Sequence, residues 1–323
     1  MIQGLYSLEE VSRLISEGKF LLLAGDEILL TKLPPGNWIA GTTPYFMTSN
    51  REMITSQEHI FVSQLSGFIT GATIREYDET NIRNIYVDAP VNGFTMLIAP
   101  NSSKVLFEYA LNAPNYPKFA CTPVCGWIAG WLLKETLTGK SYSVSGLNPV
   151  LLDNKAVAMH VSLPANKYAE INMFSSFKAQ PGSPSIMFDD DGWVQENAVI
   201  DGVRQNFAEY IRKNRIKTEY PLISNYAGAP VCVSYLKTEG NKVYTYAPIF
   251  KGVEFHFSET SRQAPGLLLS GGDIIYSMSC ILNFQRPELC GTYIEKMNGP
   301  VTFGEIAYQL VNQTTVYLTV GEL

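Results

Sequence analysis

Clustered positive charge is the first thing this chain lacks. Its 24 Lys and Arg are scattered among 30 Asp and Glu, for a net charge of -6, and no basic stripe forms. Nucleic acid is therefore not an expected partner, because neutralising phosphates requires such a stripe. Anionic membrane surfaces are disfavoured on the same ground. No apolar run approaches the roughly 20 residues of a transmembrane helix, so no membrane insertion is expected. The opening MIQGLYSLEEVSRL has no basic-then-apolar order of a signal peptide, and a cytoplasmic location is the resulting expectation. Histidine is scarce: His59, His160 and His256 are far apart, so a metal site would have to be assembled wholly by the fold, and none is expected. The five cysteines, Cys121, Cys125, Cys232, Cys280 and Cys290, are odd in number and lack CxxC spacing, which points to reduced, buried thiols rather than a disulfide framework. Short-period repeats and low-complexity segments are missing too, which excludes solenoids and propellers.

What is present is material for a large core. With 323 residues, 46% hydrophobic and 17% charged, the chain exceeds one ordinary domain, and two domains are expected, residues 1–200 and 201–323. Ser7 followed by Glu10 is a capping-box pattern for a helix carrying Val11, Leu14 and Ile15 on one face and ending near Gly18. Residues 20–25 and 27–33 read as a hairpin turning at Gly25-Asp26. Strand-like runs follow at 59–65, 71–78, 83–89 and 94–100, then a helix over 102–113 and a long apolar strand within 119–133. Strand, helix, buried strand is an α/β signature. Further strands are expected at 156–163, 168–174, 184–190 and 193–200, a helix at 203–216, and a hairpin turning at 239–241. The fold class is α/β (α+β): two related domains with mixed, largely antiparallel sheets covered by a few helices.

The tetrapeptide WIAG occurs twice, at Trp38–Gly41 and Trp127–Gly130. The flanking residues do not match, so duplication is not supported. The first copy leads into Thr42 and Thr43. Gly41 permits close backbone approach there, the threonines supply hydroxyls, and Trp38 supplies an aromatic wall, a mixture suited to the edge of a small-molecule pocket. A buried strand with aromatic packing is the alternative. The second copy, running into Trp131-Leu132-Leu133, reads as core. Glu305 beside Gly304 sets a carboxylate where a ligand amine could approach, or else caps a short helix from Ile306. Asn312-Gln313-Thr314 could line a polar pocket or form the turn before the last strand. Cys280 reads as a buried thiol or as a nucleophile, and His160 as a satisfied histidine on a sheet face. Asp189 to Asp191 read as a solvated hairpin turn rather than a calcium loop, because the spaced ligand pattern is missing.

Two phrases near the end, Thr302-Phe303-Gly304-Glu305-Ile306 and Asn312-Gln313-Thr314 before an apolar strand, resemble the close of the C-terminal unit of FIST-type sensory domains. Upstream, the strand ending at Ser279-Cys280 is similar to a family strand, but Ile281-Leu282-Asn283 replace the usual Gly-Arg pair, so that arginine's role is not carried over, although Arg286 is near. Residues 94–130 are similar to the N-terminal unit, with Trp127 and Ile128 in place of the family's hydroxyl residues. The resemblance implies FIST-N-like and FIST-C-like halves forming a small-ligand sensor, the ligand an amino acid or related metabolite, with a signalling protein as partner and no output domain in view. It brings up haem, which would need one axial histidine, but no cofactor is expected. The candidate ligand-binding residues are Trp38, Gly41, Thr42, Thr43, Trp127, Cys280, Asn283, Gly304, Glu305 and Asn312. The alternatives are a cysteine-dependent enzyme using Cys280 with Glu305, and a structural or assembly protein.

Overall fold

The computed structural model describes residues 2–48, 53–135, 139–226, 229–261, 272–285 and 297–323. Its frame is built from three strand-helix-strand units whose two strands pair in parallel. In the first, Leu21–Gly25 and Trp38–Thr42 flank the short helix Glu27–Leu30. In the second, Gly93–Pro100 and Val124–Ala129 flank the helix Lys104–Asn112. In the third, Asp273–Cys280 runs straight into the helix Ile281–Phe284 and pairs with Gly299–Thr302. Each unit seeds one six-stranded sheet completed by antiparallel strands. The mixed and antiparallel sheets with few helices are the α/β class expected from the sequence.

The sheets stack around one apolar layer. Leu22, Ala24 and Ile39 of the first sheet and Phe46, Tyr276, Met278, Val316 and Leu318 of the third face Met96, Ile98, Trp127, Val157 and Met159 of the second. Strands buried on both faces read as continuous apolar runs rather than alternating ones, which is why LLLAG and WIAG show no alternation. On the far side of the first sheet, the helix Leu8–Ser16 covers Leu21, Leu23, Trp38 and Ala40 with Val11, Leu14 and Ile15. The expected capping box forms: Ser7 Oγ accepts the Glu10 N–H at 3.3 Å and the Glu10 carboxylate accepts the Ser7 N–H at 2.9 Å. On the far side of the second sheet, helix Lys104–Asn112 and the smaller sheets drawn from 177–260 share a core that includes Ile186, Phe188, Phe207, Val243 and Phe255.

Several local expectations need correction. After Gly25 the chain does not turn back as a hairpin. Asp26 caps the helix Glu27–Leu30 by accepting the Ile28 N–H at 2.9 Å, and the partner strand is Trp38–Thr42. Residues 83–89 are not a strand, because Asp78 accepts the N–H groups of Thr80 and Asn81 and sets up the 3-10 turn Ile82–Asn84, which buries Ile82, Ile85 and Tyr86. The helix expected over 203–216 is shorter: Val203–Asn206 is a strand paired with Asn197–Ile200 through Asp201-Gly202, both at positive φ, and Asn206 caps Phe207–Lys213. The run 193–200 is two strands, Gly192–Gln195 and Asn197–Ile200, in different sheets, so Asp189 to Asp191 form a bend between sheets rather than a hairpin turn. The position expected to divide two domains, 200/201, falls in the hairpin turn. Strands from either side of it share two of the large sheets: Glu305–Ala307 pairs with Val124–Ala129, and Lys167–Phe174 with Thr315–Glu322.

The two WIAG strands meet across the central layer. A Cβ on Gly41 would lie 2.5 Å from Ile98 Cγ2 and 2.6 Å from the Trp127 ring, so Gly41 is the hollow that receives the second tryptophan. Gly41→Ala is expected to destabilise the protein by about 1–3 kcal/mol through overpacking, seen as a lower Tm. Gly71→Ala, at a strand position with nothing within 4 Å of the added carbon, should leave the Tm nearly unchanged.

Candidate functional site

The segment 302–314 passes from the third sheet into the second and back. Thr302 ends Gly299–Thr302, the tight hairpin Glu305–Ala307/Gln309–Val311 joins the second sheet beside Val124–Ala129, and Thr315 begins the last strand of the third. Gly304, at φ 144°, makes the outward crossing in a conformation open chiefly to glycine. Glu305 is fully buried at this junction. Its carboxyl accepts from Thr302 Oγ1 at 2.7 Å and from Thr314 Oγ1 at 2.9 Å, so one side chain ties the two crossing points together. Glu305 is a strand residue opposite Trp127, not a helix cap. Burial pushes its pKa up to about 8, against the downward pull of the two threonine hydrogen bonds, so near neutral pH the carboxyl holds its proton.

The other C-terminal candidates gather around the same crossing. The Thr314 carbonyl accepts from the Cys280 N–H at 3.1 Å and from Asn283 Nδ2 at 3.1 Å, and Asn283 also donates to Ser279 Oγ. The Cys280 side chain is buried. Asn312 Oδ1 accepts the Ser234 N–H at 2.9 Å, and Gln313, at φ 50°, accepts from Ser234 Oγ at 2.6 Å. Asn312-Gln313-Thr314 is thus a turn that also fastens the 177–260 region to the sandwich.

The N-terminal candidates sit elsewhere. A cleft of about 200 Å³ opens where the first parallel pair ends, lined by Asp26, Thr42, Thr43, Gln57, Gly130, Trp131, Lys140 and Tyr142 among others. Parallel sheets commonly take ligands outside the carboxyl ends of their strands. Thr42 and Thr43 reach this cleft, but their hydroxyls are engaged in the framework. Thr42 Oγ1 donates to the Gly130 carbonyl at 2.8 Å and accepts the Tyr142 N–H at 2.9 Å. Thr43 Oγ1 donates to the Val301 carbonyl at 2.7 Å. Trp38 is not a cleft wall: it lies in the core under helix Leu8–Ser16, with Nε1 donating to the Pro34 carbonyl at 2.9 Å. Trp127 is fully buried over Gly41. Trp38 and Glu305 therefore belong to different layers.

The groups available to a ligand in the cleft are not among the candidate residues named above. Asp26 Oδ2 accepts from Gln57 Nε2 at 2.9 Å, and its other oxygen holds the helix cap. Lys140 stands exposed at the same cleft. The Trp131 indole N–H is buried without a hydrogen-bond partner among the described residues. The signal for Asp26 was available: an Asp directly after a buried strand and before an apolar turn is a helix cap. Nothing in the local sequence singles out Lys140 or Gln57.

His160 is satisfied on both ring nitrogens, by Tyr77 Oη at 2.7 Å and Thr95 Oγ1 at 2.8 Å, and burial lowers its pKa to about 4. Cys125 is a buried strand thiol pushed up to about 12 by desolvation, whereas Cys121 is exposed. Cys290 and Arg286 lie outside the described residues. Among the described residues, no group of three or more His, Cys, Asp or Glu could hold a metal ion, and no helix is long and apolar enough to cross a membrane.

These features define an α/β sheet sandwich with a buried carboxyl at its crossing and a polar cleft at the ends of its parallel strands. The chain belongs to the family of unknown function DUF6976, whose model matches residues 6–321. A comparison with curated proteins found no match. That match says nothing of FIST domains, so the resemblance rests on the sequence phrases given above.

The Glu305 carboxyl sets a pH dependence. Between about pH 4.5, where the unfolded side chain ionises, and about 8, the folded chain holds a proton that the unfolded chain has released. Stability from this group therefore falls as pH rises through that window, at a limiting slope of about 1.4 kcal/mol per pH unit. Glu305→Gln, which keeps the shape and does not titrate, should flatten that decline in urea denaturation between pH 5 and 8. An unchanged slope would contradict the assignment.

Proposed function

We propose that this protein binds a small zwitterionic metabolite, of the amino-acid class, in the cleft at the carboxyl ends of Leu21–Gly25 and Trp38–Thr42, and that it acts as a sensory module passing occupancy to a protein partner. The observation that carries this reading is the presence of opposite charges, Asp26 and Glu27 against Lys140, on the lining of one cleft of about 200 Å³. A ligand ammonium would meet the Asp26 carboxylate. A ligand carboxylate would meet Lys140, and the rings of Trp131 and Tyr142 would flank the rest. Small-molecule sites typically combine a few fixed polar groups with aromatic walls in this way.

The framework supports rigid presentation of these groups. Thr42 and Thr43 spend their hydroxyls bracing Gly130 and Val301, so the cleft floor is set before a ligand arrives, which lowers the cost of binding. The burial of Cys280 and Glu305 favours this reading over thiol-dependent catalysis by that pair, which needs an accessible nucleophile.

Thermal-shift screening against the amino acids and related small zwitterions tests the proposal. A ligand at 100 times its Kd should stabilise the protein by about 2.7 kcal/mol. Lys140→Gln and Asp26→Asn, the latter retaining a helix-capping side chain, should each weaken binding by about tenfold or more, as expected for lost charge-assisted hydrogen bonds. Silence across the whole panel, or binding indifferent to both substitutions, would rule the site out.

A further inference from the structure

The cleft at the end of the first parallel pair is uneven in charge. Among its described lining residues Asp26 and Glu27 are acidic and Lys140 alone is basic, while Thr42, Thr43 and Gln57 add polar groups without charge. The two acids have different settings. Asp26 is half-buried, and its carboxylate is oriented by the Ile28 N–H on one oxygen and by Gln57 Nε2 on the other, both at 2.9 Å. Glu27, the next residue, opens the helix Glu27–Leu30 and is exposed. A carboxylate has about four acceptor positions, so each acid can take a ligand N–H beside the contacts it already makes.

Aliphatic surface lies next to the second acid. Ile28 is 58% exposed and lines the cleft together with Pro44 and Leu132. Exposed apolar residues are ordinary when scattered singly, but three on one cleft beside a carboxylate form a surface suited to a methylene stem that ends in a cation. Lysine side chains lie on proteins in the same way, the stem along apolar surface and the charged head in water. The aromatic wall is fixed in place. Trp131 packs on Phe303 with ring centroids 4.8 Å apart, and Gly139 backs the indole so closely that an added Cβ would lie 1.9 Å from Cδ1. At about 200 Å³, the cleft is somewhat larger than the roughly 150 Å³ that receives a benzene ring, which suits a free amino acid with a short side chain.

We infer that the ligand is a diamino acid: an α-amino acid whose side chain is a short methylene stem ending in a second ammonium, the class of ornithine and lysine. This rests on the zwitterion reading of the same cleft and sharpens it. Asp26 takes the α-ammonium and Lys140 the α-carboxylate. Ile28, Pro44 and Leu132 take the stem, and Glu27 takes the distal ammonium. Glu27 is then the residue that selects by charge, because an uncharged side chain of the same length brings it no donor.

Calorimetric titration of the full chain with L-ornithine, L-lysine and L-norleucine tests this, norleucine having the lysine stem without the second amine. At least one of the two diamino acids should bind about tenfold or more tightly than norleucine, the gain expected of a charge-assisted hydrogen bond. Glu27→Gln should bring that ratio close to one. Asp26→Asn should weaken all three ligands and keep the ratio. Glu27 is exposed, so its substitution does not put folding at stake, and an unchanged Tm of the unliganded variant checks this. The two ways of failing are separable. If norleucine binds as tightly as both diamino acids, or if Glu27→Gln leaves the ratio where it was, the diamino-acid inference is overturned while the zwitterion site stands. If these three ligands and the other amino acids all fail to bind, both readings fall together.

Discussion

One buried carboxyl holds the architecture together. The chain leaves the third sheet at Thr302, crosses to the second, and returns at Thr314, and Glu305 receives a hydroxyl hydrogen bond from each of those two residues. A charged carboxylate in so apolar a setting would be expensive, and the environment resolves this by raising its pKa so that it stays neutral near pH 7. The crossing is fixed from outside as well. The carbonyl of Tyr308, the left-handed residue at the hairpin tip, accepts hydrogen bonds from both Tyr86 Oη and Tyr109 Oη, which anchors the same hairpin to the helical side of the second sheet. Sheets that could slide past one another are thereby locked in register where their parallel strands end.

The polar cleft depends on that registration. Phe303 donates its N–H to the Ile128 carbonyl, Ile128 donates to Gly304, and Gly130 donates to Thr42, so the ends of all three parallel pairs are stitched side by side. Gly130, Trp131 and Leu132, which follow the second WIAG strand, then line the polar compartment together with Asp26 and Lys140. The two WIAG segments are not copies of a unit, yet they have matched roles. Each is the second strand of a parallel pair, and the ring of the second tryptophan packs into the glycine of the first.

Elements fixed by local chemistry could be read in advance. The Ser7 capping box, the strand-helix-strand pattern over 94–129 and the satisfied His160 needed only short-range signals, and Asn312-Gln313-Thr314 proved to be a turn as one of its two readings held. Where local signals compete, hydrophobicity alone misleads: Asp26 reads as a hairpin turn yet caps a helix, and Asp201-Gly202, a strong hairpin signal, lies within an amphipathic run. The candidate residues separated for a physical reason. Cys280, Asn283, Gly304, Glu305 and Asn312 lie within 33 positions of one another in a segment that folds back on itself, and they assemble around Thr314. Trp38, 264 positions from Thr302, was grouped with them by composition alone, and side-chain composition carries no information on which face of a fully apolar strand looks where. Lys140 and Gln57 come to the polar cleft only through long-range sheet pairing, which no window of sequence encodes.

The central claim, that a proton-bearing Glu305 bridges Thr302 and Thr314, is most directly tested by a carboxyl 13C NMR titration of the folded chain with Glu305 assigned. The account predicts a titration midpoint near 8. A midpoint near 4.5, the value for an unperturbed side chain, would mean that the carboxyl meets water and that the junction is not the closed bridge described.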